Sequence, residues 1–234
     1  WGWSDVAPVF QRMECWHGPE TQGRGQTGPL SVTDVSGAMH PLSRSYLRAA
    51  EETGIPFHPD YNASDMMGAS YYQITTQNGV RASSADAYLR PTLQRQNLHV
   101  ETSAHATRIL FEGKRATGIA YRKHGVTKTA SAHGEVILCG GAINTPQLLQ
   151  LSGIGPGPLM QKLGLEVVHD APHVGQNLMD HLGIDLMFRS TRPSLNQALR
   201  PCLGKAKVGL QYLPTKKGPL SMSPNHAGGF LRRQ

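Results

Sequence analysis

Cysteine is scarce. Cys15, Cys139 and Cys202 are the only three in 234 residues, too few for a disulfide framework and spaced for no metal site. No apolar run approaches the roughly 18 to 20 residues that cross a bilayer as a helix. Aromatic residues make up 6% of the chain; only Phe188, Tyr212 and Phe230 fall in its last quarter, which offers no base-stacking platform for nucleic acid. No methionine opens the chain and nothing resembles a signal or transit segment. The opening Trp1-Gly2-Trp3 reads like the middle of a segment, so the expectation is a piece of a larger protein.

Acid is the other scarcity, and it is local. Residues 182–234 hold nine Lys and Arg against the single acid Asp185, a net +8, whereas residues 1–181 come to −1. A basic segment of this kind can steer toward an anionic membrane face. The plainer reading is a solvated surface. Lys205, Lys207, Lys216 and Lys217 are expected on loops, because Gly204, Gly209, Pro214 and Gly218 interleave them.

Gly 26 and Pro 16 then imply many turns without a collagen-like period. A helix is predicted around Val6–Cys15 and another over 41–54, where Leu42, Tyr46, Leu47 and Ala50 recur at helical spacing before Gly54 and Pro56. Ser83 or Ser84 caps a short helix through Leu89. Strands are predicted at Leu98–Thr102, Thr107–Phe111, Gly118–Arg122, Val126–Ala130, Glu135–Cys139 and Ile184–Arg189. Helices follow at Pro146–Ser152, with Thr145 as its cap, and at Leu159–Leu163. The fold class is α/β, with helix and strand mixed.

Two glycine motifs need weighing. Gly23-Arg24-Gly25-Gln26-Thr27-Gly28 matches a dinucleotide-loop pattern in letters, but that loop joins a strand to a helix. Here Trp16 to Glu20 precede it and a strand starting near Leu30 follows, so it reads as an ordinary loop. Gly140 and Gly141 are different. They stand where an apolar strand runs into a helix, the place where α/β sheets let backbone approach a ligand. Leu148, Leu149 and Leu151 are placed to pack that helix on a sheet.

The fifteen residues Gly141–Gly155 resemble the second signature of the glucose–methanol–choline (GMC) oxidoreductases, flavoproteins that oxidise alcohols. The flanks agree: Glu135 to Gly140 before, Val174-Gly175-Gln176-Asn177-Leu178-Met179-Asp180-His181 after. So do Arg81-Ala82-Ser83-Ser84, Ala87-Tyr88-Leu89-Arg90-Pro91, Asn97-Leu98 and Phe111-Glu112-Gly113. Within the family the resemblance is nearest to choline dehydrogenase-like members. It implies an FAD-binding Rossmann-like domain part over 81–182, with the signature at 141–155. It also implies a substrate-domain or connecting part over 1–80 and the start of a second substrate-domain part over 183–234.

The same resemblance implies FAD as cofactor and a choline-like alcohol as substrate. The electron acceptor is left open, and no nucleic-acid partner is implied. Ala106, Cys139, Gly140 and Gly141 are the cofactor-binding positions it assigns: Ala106 by a backbone contact to the adenine after the strand 98–102, the glycines by close approach to the adenosine half. Cys139 is expected to be a small buried hydrophobe. No catalytic residue is assigned here, because the catalytic His is expected downstream of this chain. A peripheral membrane contact fits the basic segment. The location implied is the mitochondrial inner membrane, or cytoplasmic or membrane-associated if the source is bacterial. One departure bears on substrate: choline dehydrogenase-like sequences usually carry a carboxylate before Ala-Gly-Gly-Phe, whereas Asn225-His226 precede Ala227 here. An alcohol oxidase of the same fold and a non-catalytic basic module are the alternatives. The histidines offer no paired ligand spacing, since Pro172 separates His169 from His173. Asn62-Ala63-Ser64 is a sequon with nothing else to indicate secretion.

Overall fold

Trp3, Ala7 and Phe10 recur at helical spacing, and they form one face of α1 (Trp3–Met13) with the Trp3 and Phe10 rings stacked 6.3 Å apart. The computed structural model describes residues 1–63 and 65–232; Ser64 of the sequon and Arg233 of the basic segment lie outside the described residues. The chain divides into two units. One comprises Trp1–Leu98 together with the residues from Met187 on, and the other His99–Leu186.

In the first unit α1 stops two residues short of the predicted end, because Glu14 and Cys15 enter β1 (Glu14–His17). That strand pairs in parallel with β2 (Leu30–Thr33), Trp16 opposite Val32. The Gly23–Gly28 loop therefore has a strand before it, contrary to the expectation, and a strand instead of a helix after it. It remains a connection between strands. Pro41 opens α2 (Pro41–Glu52), the His40 ring accepts the Leu42 N–H at 3.2 Å, and Gly54 at φ +85° ends the helix. After β3 (Gly68–Tyr71) comes a hairpin of β4 (Thr76–Gln77) and β5 (Val80–Arg81). Asn78 and Gly79, at φ +52° and +71°, supply the left-handed pair that such a turn requires. Ser83 Oγ accepts the Asp86 N–H at 3.2 Å, at the start of a π-type turn over Ala85–Leu89.

The second unit is built on a three-stranded antiparallel meander, β6 (Ala104–Glu112), β7 (Arg115–Lys123) and β8 (Val126–Ser131), in that order across the sheet. Gly113 at φ +60° turns the first hairpin, and His124-Gly125 at φ +52° and +81° the second. Leu98–Thr102 and Glu135–Cys139 form no ladder among the described residues, a correction to both predicted strands. The alternation of Leu98, Val100 and Thr102 and the apolar run Val136–Cys139 suit strands, but a strand exists only where a neighbouring strand exchanges backbone hydrogen bonds. Next come α3 (Gly141–Leu151), β9 (Ile154–Gly155), α4 (Gly157–Lys162) and β10 (His169–Asp170). β9 and β10 pair in parallel. Asp170 Oδ1 accepts the Gly157 N–H at 2.8 Å, and Met160, on the buried side of α4, is 1% exposed.

Ile184–Arg189, where the chain passes from the second unit back into the first at Met187, forms no strand among the described residues, another correction with the same cause. The chain instead forms α5 (Leu195–Leu199) and α6 (Cys202–Thr215), then β11 (Ala227–Phe230), which pairs antiparallel with β3. Lys205 and Lys207 lie on α6, not on loops, and Lys216 ends that helix at φ +53°. Gly204 and Gly209 are carried inside the helix, a cost of about 1 kcal/mol each relative to Ala. The architecture is the mixed helix-and-strand class that the sequence predicts.

Candidate cofactor site

Gly140 and Gly141 form the entry to α3. Gly140 sits at φ −80°, ψ 0° and Gly141 at φ +80°, a left-handed conformation strained for any residue with a Cβ. A Cβ built on Gly141 would meet no atom within 4 Å, so the turn faces open space. The helix starts here, five residues ahead of its predicted start, because the positive φ of Gly141 lets the chain swing directly into the first turn. Thr145 is accordingly inside the helix instead of capping it, and Pro146 leaves the Ala142 carbonyl without its intrahelical donor. No side chain caps α3 and no acid lies in its first turn. The N–H groups of the first turn, which have no partner within the helix, are exposed to whatever occupies the space beside Gly141.

Cys139 is exposed, which corrects the expected burial; the stretch it ends has no sheet neighbours to cover it. Ala106 is exposed on β6 itself, opposite Tyr121, at a register irregularity that runs from Ala106 to Arg108. It is thus a strand residue, not part of a turn after an earlier strand. The structure places Ala106 and the glycine turn on two elements, β6 and α3, that pack against each other.

Two residues missed by sequence reasoning hold α3 in place. Ser152 is fully buried; its Oγ accepts the Ile109 N–H of β6 at 2.8 Å and donates to the Leu148 carbonyl at 2.5 Å. β6 is the edge of the meander, so Ser152 satisfies a backbone donor that the edge would otherwise leave unpaired. The Gln150 Nε2 donates to the Val174 carbonyl at 2.9 Å. Leu148 and Leu149 are half-buried, but Leu151 is 46% exposed and is not a packing residue. Neither Ser152 nor Gln150 stands out in a hydrophobic pattern; each is a polar residue inside an apolar helix end, which is the only signal available.

The strongest electrostatics lie in the other unit. The Arg24 side chain is 1% exposed and makes paired bonds to Glu14 at 2.9 and 2.5 Å, with Asp60 at 2.7 Å and Gln73 at 2.9 Å. Its guanidinium lies 4.0 Å from the centre of the Trp16 ring. Burial alone would lower its pKa, but the hydrogen bond to Glu14 and the charges of Asp60 and Glu14 outweigh that and raise it. Among the described residues Asp60 Oδ2 has no hydrogen-bond partner. This network joins β1, the glycine loop and the 60–73 segment, and its side chains bond chiefly one another. On the surface, hydrogen bonds from Ser83 hold the Asp86 carboxyl below the usual range, and Lys123 does the same for Glu101. Among the described residues no group of three or more His, Cys, Asp or Glu is placed to hold a metal. Asp180 accepts its neighbour's backbone N–H, from His181 at 2.8 Å.

The family described as GMC oxidoreductase matches residues 1–183. The chain belongs to the GMC oxidoreductase family. It is 41% identical over 235 residues to the mitochondrial choline dehydrogenase of Homo sapiens, covering 100% of this chain and 39% of that protein. It is 38% identical over 239 residues to an alcohol dehydrogenase [acceptor] of Pseudomonas putida, covering 99% of this chain and 43% of that one. Among solved structures, an FAD-dependent oxidoreductase from Chaetomium thermophilum superposes with a TM-score of 0.83 at 25% identity, over 97% of this chain and 42% of that one. The chain spans about two fifths of the length of the curated relatives it matches. Family members are FAD-binding flavoproteins, and the glycine turn suits such a cofactor: the φ of Gly141 favours glycine, and the space beside it is open.

Proposed function

We propose that this chain forms part of an FAD-dependent alcohol oxidoreductase whose substrate is choline or a choline-like alcohol. The observation that carries the cofactor part is the Gly140–Gly141 turn, with Gly141 at a φ of +80° that favours glycine, open space beside it and an uncapped helix behind it. In this reading Gly140, Gly141 and Cys139 flank the adenosine half of FAD, and Ala106 offers it a backbone group. FAD supplies the hydride acceptor when bound. Residues 81–182 belong to the flavin domain, and 1–80 and 183–234 to substrate-domain parts. The chain's own contribution is to bind and orient the cofactor; no residue described here is assigned proton transfer.

The substrate part rests on the likeness to choline dehydrogenases. Oxidation of choline to its aldehyde would place the enzyme in glycine betaine formation. The setting would be the mitochondrial inner membrane for an animal enzyme, or the cytoplasm or cell membrane for a bacterial one. The test is anaerobic titration of the full-length holoenzyme with choline and with a neutral alcohol of similar size. Loss of the flavin's visible band with choline, and not with the neutral alcohol, supports the proposal. Bleaching by the neutral alcohol alone would move the substrate away from quaternary ammonium compounds, and a colourless protein would overturn the cofactor reading.

A further inference from the structure

The Gln150 side chain is wedged between two glycines that come from different parts of the second unit. A Cβ on Gly155 would lie 2.8 Å from Gln150 Cγ, and a Cβ on Gly175 only 2.5 Å from its Nε2. Gly175 also sits at φ +80° and is the residue after Val174, whose carbonyl accepts the Gln150 Nε2 hydrogen bond at 2.9 Å. One amide side chain therefore holds three segments together: α3, the β9 turn and the loop that starts at Val174. Both glycines leave room for it. Two further hydrogen bonds set the loop, Val174 N to the Ala171 carbonyl at 3.1 Å and Gln176 N to the His173 carbonyl at 3.0 Å, but both are local. Among the described residues the Gln150 bond is the one that ties the loop to the helix.

Beyond that tie lies a groove of about 580 Å³. The N-terminal half of α3 forms one wall with Ala142, Ile143 and Pro146, and the loop forms the other with Asn177, Leu178 and Met179. The first wall begins at Ala142, the residue that follows Gly141. Leu178 and Met179 are 68% and 89% exposed, so little besides Gln150 and the turn at Gly175 sets the position of that second wall.

We propose that Gln150 is a positioning residue for the flavin cofactor: by gripping Val174 it fixes the 175–179 wall against α3 and so sets the groove that runs from the glycine turn. This rests on the cofactor reading above. Gln150 touches no reacting atom; it acts through the loop it holds. Replacing it by Met keeps about the length of the side chain and removes the amide group, with it the Nε2 donor bonded to Val174, which separates the hydrogen bond from the packing.

The experiment uses the full-length holoenzyme with three variants: Gln150→Met, Gly141→Val and, as a control, Gln161→Ala on the exposed face of α4. Each is measured for FAD dissociation constant, for the visible circular dichroism of bound flavin, and for melting temperature of the apoprotein. Gln150→Met is expected to raise the dissociation constant about fivefold to tenfold, the loss of one hydrogen bond. It should also change the flavin circular dichroism while leaving the apoprotein's melting within the spread of Gln161→Ala. A Gln150→Met enzyme with unchanged affinity and flavin spectrum, beside a Gly141→Val enzyme that has lost flavin, would overturn the positioning role alone. Flavin retained normally in Gly141→Val would overturn the cofactor reading and the proposal with it.

Discussion

Replacing Ser152 by Ala isolates the joint between α3 and the edge strand. Ser152 is 0% exposed, and its Oγ both accepts from Ile109 and donates to Leu148. The two losses differ in weight. The Leu148 carbonyl keeps the Ser152 backbone N–H at 3.1 Å, so it stays satisfied. The Ile109 N–H lies on the side of β6 away from β7 and loses its acceptor in a buried setting, with Ile109 4% exposed. An orphaned buried donor costs about 1–3 kcal/mol. At 1.4 kcal/mol per factor of ten, the Ile109 amide should exchange with solvent roughly five to a hundred times faster in the variant. Hydrogen exchange of the full-length protein, read at Ile109 and at Ile119 on β7 as an internal reference, measures this directly. Faster exchange at Ile109 with Ile119 little changed is the expected result. Unchanged protection at Ile109 would refute the claim that Ser152 caps the sheet edge.

Two other perturbations follow from the charged groups. Arg24→Met should destabilise the protein by about 3–5 kcal/mol in chemical denaturation, because it leaves Glu14 and Asp60 near each other without their cation; Arg24→Lys should fail to restore stability, since one ammonium cannot make the paired bonds to Glu14. A loss under 1 kcal/mol in Arg24→Met would show that the network is not structural. The Glu101 carboxyl is held down by the Lys123 hydrogen bond and charge, so its pairing contributes above the ordinary glutamate range and is lost as pH falls through the depressed value. An NMR titration should give Glu101 a lower midpoint in wild type than in Lys123→Met, and equal midpoints would remove the pairing.

The parts of the fold legible in the sequence are those stabilised by near neighbours. Hairpins at Gly113 and at His124-Gly125 carry their turn residues between strands that pair with each other, so alternation and turn chemistry suffice. Helix α2 announces itself by Pro41, its periodic Leu42, Tyr46 and Leu47, and Gly54. Glu135–Cys139 could not be settled this way: its composition states a preference for a sheet interior, and pairing depends on residues elsewhere. The Arg24 network was invisible because Glu14, Arg24, Asp60 and Gln73 share no period and meet only in three dimensions. At the candidate site the glycine pair was legible as a place of close backbone approach where an apolar stretch runs into a helix, whereas Thr145 misled as a cap because a good cap residue is also tolerated inside a first turn. Gln150 carries only the weak signal of a polar residue at an apolar helix end, because its contact with Val174 is a long-range fact.

The central claim is that the Gly140–Gly141 turn receives the flavin cofactor, and a pair of glycines tests it most directly. Gly141 and Gly164 share the same demands: φ of +80° and +71°, and no atom within 4 Å of an added Cβ. Valine at either position carries a similar backbone penalty, but only at Gly141 does the side chain enter the proposed cofactor space. The measurement is flavin bound per full-length protein, by visible absorbance after denaturation, in Gly141→Val and Gly164→Val purified side by side. Flavin largely lost from Gly141→Val and retained in Gly164→Val is the predicted result; equal flavin content in the two would contradict the account.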